Sequence, residues 1–168
     1  GKTGNVETHL FQVSADGEAD TAIVEWTSFD DNVYNVFVPY YPLLTTDTAD
    51  CYKVSPGTVT HSDEEPAEGI WYKTDKGYYT YPENWTDSYY GAQDALANLL
   101  TYGDVSDADK ANVKEAYAAL QQELFADFNA MKTAVADAAT VEAKQSAATD
   151  ASKAMAEKVH AATLELYN

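Results

Sequence analysis

The side chains best suited to nucleophilic or acid–base catalysis are few in this chain of 168 residues, which has one cysteine and three histidines. The single cysteine, Cys51, excludes an internal disulfide and a cluster of cysteine metal ligands. Asp47 and Asp50 lie near Cys51 in the sequence, and negative charge disfavours the thiolate. We therefore predict that Cys51 is a small non-catalytic residue.

Two of the histidines lie in patterns that bear on function. His9 falls in a stretch rich in β-forming residues, so it is either a residue near a substrate groove or a hydrogen-bonded histidine of a sheet. His61, Ser62 and Asp63 have the residue types of a Ser-His-Asp relay. Adjacent residues cannot arrange their side chains in that relay, and the G-x-S-x-G pattern is missing. The sequence therefore does not favour a serine hydrolase.

The acidic residues that follow Asp104 resemble a calcium loop only superficially. Counted as an EF-hand from Asp104, position 5 is Ala108 and the required glycine at position 6 is Asp109. A capped helix start explains these acids better, so we predict neither a cofactor nor a bound metal here. Calcium at the acidic turn Asp30-Asp31 is left open.

Aromatic residues are concentrated between positions 71 and 85. Such rings stack on sugars or peptide side chains, or they close a loop segment over a sheet. Both interpretations stay open. If the rings bind a ligand, the candidate substrate-binding residues are Tyr79 and Trp85. His9 is a further candidate.

The composition limits the classes of partner. The chain carries 28 acidic and 10 basic residues, for a formal charge of −18, and all the basic residues are lysine. This charge argues against nucleic acid and anionic membrane surfaces, and the missing arginine excludes guanidinium clamps on anions. No apolar run is long enough to span a bilayer. The sequence does not decide where the protein is located: the bacterial cytoplasm is one alternative, and secretion or the cell surface is the other.

The composition changes near residue 88, from a β-rich lobe with an aromatic loop segment (1–88) to a helical segment (89–168). We expect one compact domain of the α+β class. Antiparallel strands are predicted at 6–14, 21–29 and 32–38, in a sheet covered on both faces. A hairpin around Asp75-Lys76-Gly77 is predicted within the loop segment.

Three helices are predicted after residue 88. The first covers 88–102 and ends at Gly103, and the second begins after Ser106. The third covers 141–167, with Thr140 as its cap, and forms an antiparallel hairpin with the second. The second helix has a clear apolar stripe, whereas the third has a thin one that includes Val141 and Leu166.

Several motifs in this order resemble the C-terminal part of the cysteine dipeptidases of the N-terminal-nucleophile (Ntn) hydrolase class. The strand motifs are Glu7-Thr8-His9-Leu10-Phe11-Gln12, Val24-Glu25-Trp26-Thr27-Ser28 and Val36-Phe37-Val38-Pro39-Tyr40-Tyr41. The helical motifs are Ser88-Tyr89-Tyr90 and Leu120-Gln121-Gln122-Glu123-Leu124-Phe125. The resemblance covers about residues 5–168.

The resemblance implies an αββα sandwich and hydrolysis of dipeptides or short peptides by an N-terminal cysteine. This chain begins with Gly1 and has methionine only at positions 131 and 155, so we expect a processed product or a C-terminal piece of a larger protein. The nucleophile would then lie upstream, the remainder of the parent polypeptide would be a partner, and this chain alone would be inactive.

The alternative is a non-catalytic surface module that binds peptide or glycan through its Tyr and Trp residues. A further alternative is an interaction domain that dimerises through the Ala-rich faces of its helices.

Overall fold

The described part of the chain has an α+β fold of two small antiparallel sheets and three long helices. A computed structural model describes residues 7–168 apart from Asp16, Asp31 and Pro56. The strands are β1 (Glu7–Val13), β2 (Ile23–Phe29), β3 (Val38–Tyr40), β4 (Thr60–Ser62), β5 (Trp71–Thr74) and β6 (Gly77–Thr80). The helices are α1 (Asp50–Lys53), α2 (Tyr89–Tyr102), α3 (Asp107–Asp137) and α4 (Val141–Tyr167).

The first sheet is the predicted antiparallel meander, with strand order β1-β2-β3. The first two predicted strands are confirmed, whereas the third is misplaced. Asn32–Tyr34 forms a 3-10 helix, and the strand begins only at Val38 and includes Pro39. Proline is tolerated there because β3 is an edge strand, where a residue without an N–H group need not break a ladder. Of the acidic turn at Asp30-Asp31, Asp31 lies outside the described residues, and Asp30 has φ 58°.

The prediction that this sheet is covered on both faces is wrong for β1. Phe11 and Val13 are 62% and 72% exposed, and every residue of β1 except the half-buried Thr8 is exposed. By contrast, β2 is covered on one face by α3, because Trp26 packs edge-on against Phe125 and Phe128. The apolar residues of β1 therefore lack a covering layer among the described residues.

The second sheet has the order β4-β6-β5, and it contains the predicted hairpin as β5 and β6. Gly77 begins β6 with φ +114°, and a Cβ at this position would lie 2.6 Å from the Ser62 carbonyl oxygen. Glycine is therefore required at this turn by both the backbone conformation and the close approach of β4. The sequence reasoning missed β4 and α1, which are only three and four residues long.

All three long helices form where they were predicted, and each begins at a side-chain cap. The hydroxyl oxygens of Ser88, Ser106 and Thr140 accept hydrogen bonds from backbone N–H groups in the first turns of α2, α3 and α4. The predicted stripe of α3 is buried in full: Val113, Tyr117, Leu120, Leu124, Phe128, Met131 and Val135.

The helices α3 and α4 pack as the predicted antiparallel hairpin, and α4 also packs against α2 and β3. Small and flexible residues of α4 are buried at these contacts, among them Ala148, Met155 and Ala156. Val141 is 58% exposed, contrary to prediction, because the first turn of α4 lies beyond the packed part of the hairpin.

The largest core joins side chains from both compositional parts, including Val38 and Leu44 from the first and Leu96 and Leu124 from the second. The division at residue 88 stays a prediction about domain organisation. Among the described helices, none combines the length and apolar character needed to cross a membrane.

Candidate functional site

Aromatic side chains of the second sheet and of the helices beside it form one continuous cluster. Tyr72 stacks on Tyr79 and on Tyr102, with centroid separations of 5.3 and 5.6 Å. Tyr81 packs on Trp85, which in turn contacts Tyr167 at 4.7 Å. We call these six residues the aromatic cluster: Tyr72, Tyr79, Tyr81, Trp85, Tyr102 and Tyr167.

A cavity of about 190 Å³ opens between this cluster, β5 and the C-terminal end of α2. We call it the aromatic pocket. Its wall includes Trp71, Tyr72, Tyr81, Leu99, Tyr102 and Tyr167. Lys73 and Asp104 add one charge of each sign. The volume is below the range of about 300–1,000 Å³ that is usual for drug-sized ligands. It therefore suits a single amino-acid side chain or one sugar ring.

A hydrogen-bonded carboxyl group lies beside Tyr81. The Tyr81 hydroxyl donates to Asp94 Oδ2 at 2.5 Å and accepts from Asn98 Nδ2 at 2.7 Å. Burial raises the pKa of Asp94 above 3.8, against the lowering effect of these two neighbours. Burial, followed by the Asp94 charge, also raises the pKa of Tyr72 to about 12. The Tyr72 phenol beside the pocket thus stays protonated at neutral pH and acts as a hydrogen-bond donor.

The structure brings Tyr79 and Trp85 into the aromatic cluster, but they occupy different environments. Tyr79 is half-buried on β6, where it packs on Tyr72 and on His61. Trp85 is only 8% exposed, and its ring is covered by Tyr81 and Tyr167. Neither residue lines the aromatic pocket. Their substrate-binding roles stay predictions.

His9 lies apart from these residues, on β1 of the first sheet. Its Nδ1 atom is 2.6 Å from a Glu25 carboxylate oxygen, and its Nε2 atom is 3.3 Å from Glu7. The hydrogen bond to Glu25 raises the pKa of His9 above 6.5. The structure thus gives His9 a hydrogen-bonded place on the sheet, and its role near a substrate groove stays a prediction.

The other candidates from the sequence do not form a catalytic pair among the described residues. Cys51 is buried, and burial followed by the Glu157 carboxylate raises the pKa of its thiol to about 12. His61 Nε2 contacts the Lys76 carbonyl oxygen, and Ser62 Oγ accepts from the Glu64 N–H at 3.0 Å. The acids after Asp104 lie at the capped start of α3, where Ser106 Oγ accepts from the Asp109 N–H at 3.1 Å.

Sequence reasoning missed four residues around the aromatic pocket: Asp94, Asn98, Tyr102 and Tyr167. The first two are four residues apart on α2, and this spacing places them on one helix face. The sequence alone could have shown this spacing. It could not have shown that Tyr167 lines the pocket, because the position of Tyr167 depends on how the end of α4 packs.

The chain has a partial sequence similarity to Dipeptidase A of Lactobacillus helveticus. The two are 36% identical over 52 residues, a stretch that covers 31% of this chain and 11% of that protein. No family model matches the chain, and no solved structure matches it. The match thus spans only about a tenth of the relative's length, and it supports a dipeptidase relationship for part of this sequence.

Proposed function

We propose that this chain is part of a dipeptidase-type hydrolase and forms a wall of its substrate groove, while the nucleophile is carried by residues outside this chain. The observation that carries the proposal is the 36% identity over 52 residues with a dipeptidase. The activity is hydrolysis of dipeptides or short peptides by an N-terminal cysteine. The first sheet and the long helices contribute to an αββα sandwich completed by the rest of the parent polypeptide.

The chemistry of the described residues supports a role for this chain in the hydrolase other than that of carrying the nucleophile. An N-terminal-nucleophile hydrolase needs a nucleophile whose own α-amino group acts as the base. Cys51 is internal, buried and held as a thiol, with its pKa raised to about 12. Ser62 is engaged by the Glu64 backbone. Neither side chain has the activated form that acyl transfer requires.

The aromatic pocket supports a role in binding one side chain of a short peptide. Its cavity of about 190 Å³ is lined mainly by aromatic and aliphatic groups, with Lys73 and Asp104 also in the wall. Apolar surface would hold the side chain, and the two charges would attract the peptide termini. In this proposal Tyr79 and Trp85 support the pocket through the aromatic cluster, and His9 lies in a second part of the groove.

Dipeptidase assays on two proteins test the proposal. The 168-residue chain should show no turnover, and the longer parent protein should hydrolyse dipeptides until its N-terminal cysteine is alkylated. In the parent, Tyr102→Ala should raise KM, because Tyr102 lines the pocket and is 44% exposed. Phe125→Ala is the matched control, since Phe125 is 42% exposed and lies outside the pocket. Turnover by the isolated chain, or a parent protein without peptidase activity, would contradict the proposal.

A second candidate function is a non-catalytic surface module that binds peptide or glycan. It is favoured by Trp71, which lines the pocket and is 37% exposed, because exposed tryptophan rings stack readily on sugars. A glycan array and a dipeptide titration on the isolated chain separate the two functions. Glycan binding that is lost in Tyr79→Ala and Trp85→Ala would favour the surface module.

A further inference from the structure

Three side chains with metal-binding atoms meet at a place that the proposed function does not use. The Cys51 Sγ atom, a Glu157 carboxylate oxygen and a His160 ring nitrogen all lie within 4.8 Å of one another. Within the described part of the chain, this is the one group of three such residues with this spacing. The group is separate from the aromatic pocket, since none of its members lines that cavity.

The fold brings the three residues together from two elements. Glu157 and His160 are three residues apart on α4, so they lie on one face of that helix. Cys51 lies on α1, which packs against α4. Cys51 is buried, His160 is partly buried and Glu157 is exposed, so the group spans from the core to the solvent.

A second observation at this place comes from the hydrogen bonding of His160. Its Nε2 atom is buried, and no hydrogen-bonding partner is present among the described groups. The side chains of Tyr52 and Tyr89 are also buried beside Cys51, and the Tyr89 ring lies 6.3 Å from the His160 ring. Buried polar atoms without partners are uncommon in folded proteins, and a bound ion or water is one of their recognised explanations.

A small cavity of about 60 Å³ borders Cys51 and is also lined by Tyr52 and Tyr89. It has room for one or two water molecules, each of which takes about 30 Å³ in the liquid. Of the three proposed ligands only Cys51 lines this cavity, so the cavity could supply water to a bound ion from the cysteine side.

We propose that Cys51, Glu157 and His160 form a binding site for a zinc ion. One thiolate, one imidazole and one carboxylate are the ligand types that proteins use for Zn²⁺, and three protein ligands leave a fourth tetrahedral position for water. The Tyr52 and Tyr89 hydroxyls near Cys51 would supply hydrogen bonds to the ligands or to that water. Ligands of one tetrahedral zinc are about 3–4 Å apart, and the three atoms here lie within 4.8 Å of one another, so the side chains would draw slightly closer as the ion binds.

The proton balance of binding is simple. Burial and the Glu157 carboxylate raise the pKa of Cys51 to about 12, so the metal-free residue is a thiol. When Zn²⁺ binds, the S–H bond breaks, the S–Zn bond forms, and the proton leaves to solvent. Neither an oxidant nor a second reactant is needed.

The test uses Co²⁺ as a coloured probe for Zn²⁺, with the 168-residue chain kept reduced by a phosphine. We expect one Co²⁺ per chain, a thiolate-to-cobalt charge-transfer band in the near ultraviolet, and loss of the band when Zn²⁺ is added. Glu157→Gln and His160→Gln should weaken binding by more than about tenfold, because even outer-shell partners of metal ligands are worth 10–100-fold in affinity. Cys51→Ser should remove the charge-transfer band.

Glu165→Gln is the matched control, since Glu165 is an exposed carboxylate on the same helix. Its affinity for Co²⁺ should equal that of the unchanged chain. Absence of the charge-transfer band in the unchanged chain would overturn the proposal, as would equal affinities for Glu157→Gln and Glu165→Gln. If Cys51→Ser fails to fold, as judged by circular dichroism, the exposed Glu157 variant still decides the outcome. The test is independent of peptidase activity, so it can fail while the proposed function stands.

Discussion

The Tyr81 hydroxyl connects the aromatic pocket to the buried Asp94 carboxyl, and its removal gives a prediction with a defined pH dependence. Tyr81 donates to Asp94 Oδ2 at 2.5 Å and accepts from Asn98 Nδ2 at 2.7 Å. The substitution Tyr81→Phe removes the hydroxyl but keeps the ring that packs on Tyr72 and Trp85. The change in unfolding free energy therefore reports mainly on the hydrogen bonds.

The expected loss depends on the charge of Asp94. A hydrogen bond to a charged group contributes about 1.5–3 kcal/mol, and one between neutral groups about 1 kcal/mol. Burial raises the pKa of Asp94 above 3.8, whereas the Tyr81 hydrogen bond lowers it. We therefore expect Tyr81→Phe to cost about 1 kcal/mol at pH 3, below the raised pKa of Asp94, and about 2 kcal/mol once the pH exceeds that pKa and the carboxyl is ionised.

The sign follows from proton binding in the two states. Because the native pKa of Asp94 is above its unfolded value, the native state keeps a proton that the unfolded chain releases. The unfolding free energy therefore falls as pH rises from the unfolded pKa through the native pKa. Tyr81→Phe raises the native pKa further, so this fall is larger in the variant and the penalty grows toward neutral pH.

Urea denaturation followed by circular dichroism at pH 7 and pH 3 measures the effect. Tyr79→Phe is the control, because the Tyr79 hydroxyl makes no hydrogen bond with a side chain in the described part of the chain, and it should change stability by less than about 0.5 kcal/mol. In an Asp94→Asn background, the penalty of Tyr81→Phe should no longer depend on pH. A penalty that is equal at both pH values in the unchanged background, or larger at pH 3, would refute the reasoning.

Two further predictions concern packing around α2. Gln93 is buried and donates to Thr163 Oγ1 at 2.6 Å while it accepts from the Tyr117 hydroxyl at 3.2 Å. Gln93→Leu should therefore lower the unfolding free energy by about 1–3 kcal/mol in urea denaturation, and unchanged stability would contradict this. Gly103 has φ −75°, which suits any residue, but a Cβ there would clash with the Leu99 backbone oxygen. Gly103→Ala should thus lower Tm through a steric cost of about 1–3 kcal/mol, and an unchanged Tm would show that the end of α2 can move aside.

The helices could be predicted from the sequence because their signals are local. Ser106 and Thr140 are cap residues by type, and both accept the expected hydrogen bonds. The apolar repeat of α3 depends only on the helical period, so every residue of its stripe is buried as predicted. The polar network of Gln93 inside the core was not predicted, because a glutamine in a helix has no sequence signal that marks it as buried.

The strands were harder to predict because their burial depends on other layers. The apolar pattern of β1 predicts coverage, yet Phe11 is 62% exposed because no described element packs over it. The sequence predicts a third strand that ends before Pro39, whereas the strand in the structure covers Val38–Tyr40. Proline ends a central strand, but at the edge of this sheet Pro39 pairs opposite Trp26.

The predicted rise in the pKa of the Cys51 thiol is confirmed, but its cause differs from the one that the sequence suggests. Its raised thiol pKa was expected from Asp47 and Asp50, its neighbours in the sequence. In the structure, the Asp47 carboxylate binds the Lys53 and Lys153 amino groups at 3.0 and 2.9 Å, so its charge is largely compensated. Burial and the Glu157 carboxylate raise the pKa instead. Because Glu157 lies on α4, far from Cys51 in the sequence, only the packing of α1 on α4 reveals it. The same packing turns an isolated cysteine into one member of a three-ligand group, so the chemistry of this residue depends on tertiary contacts rather than on its sequence neighbours.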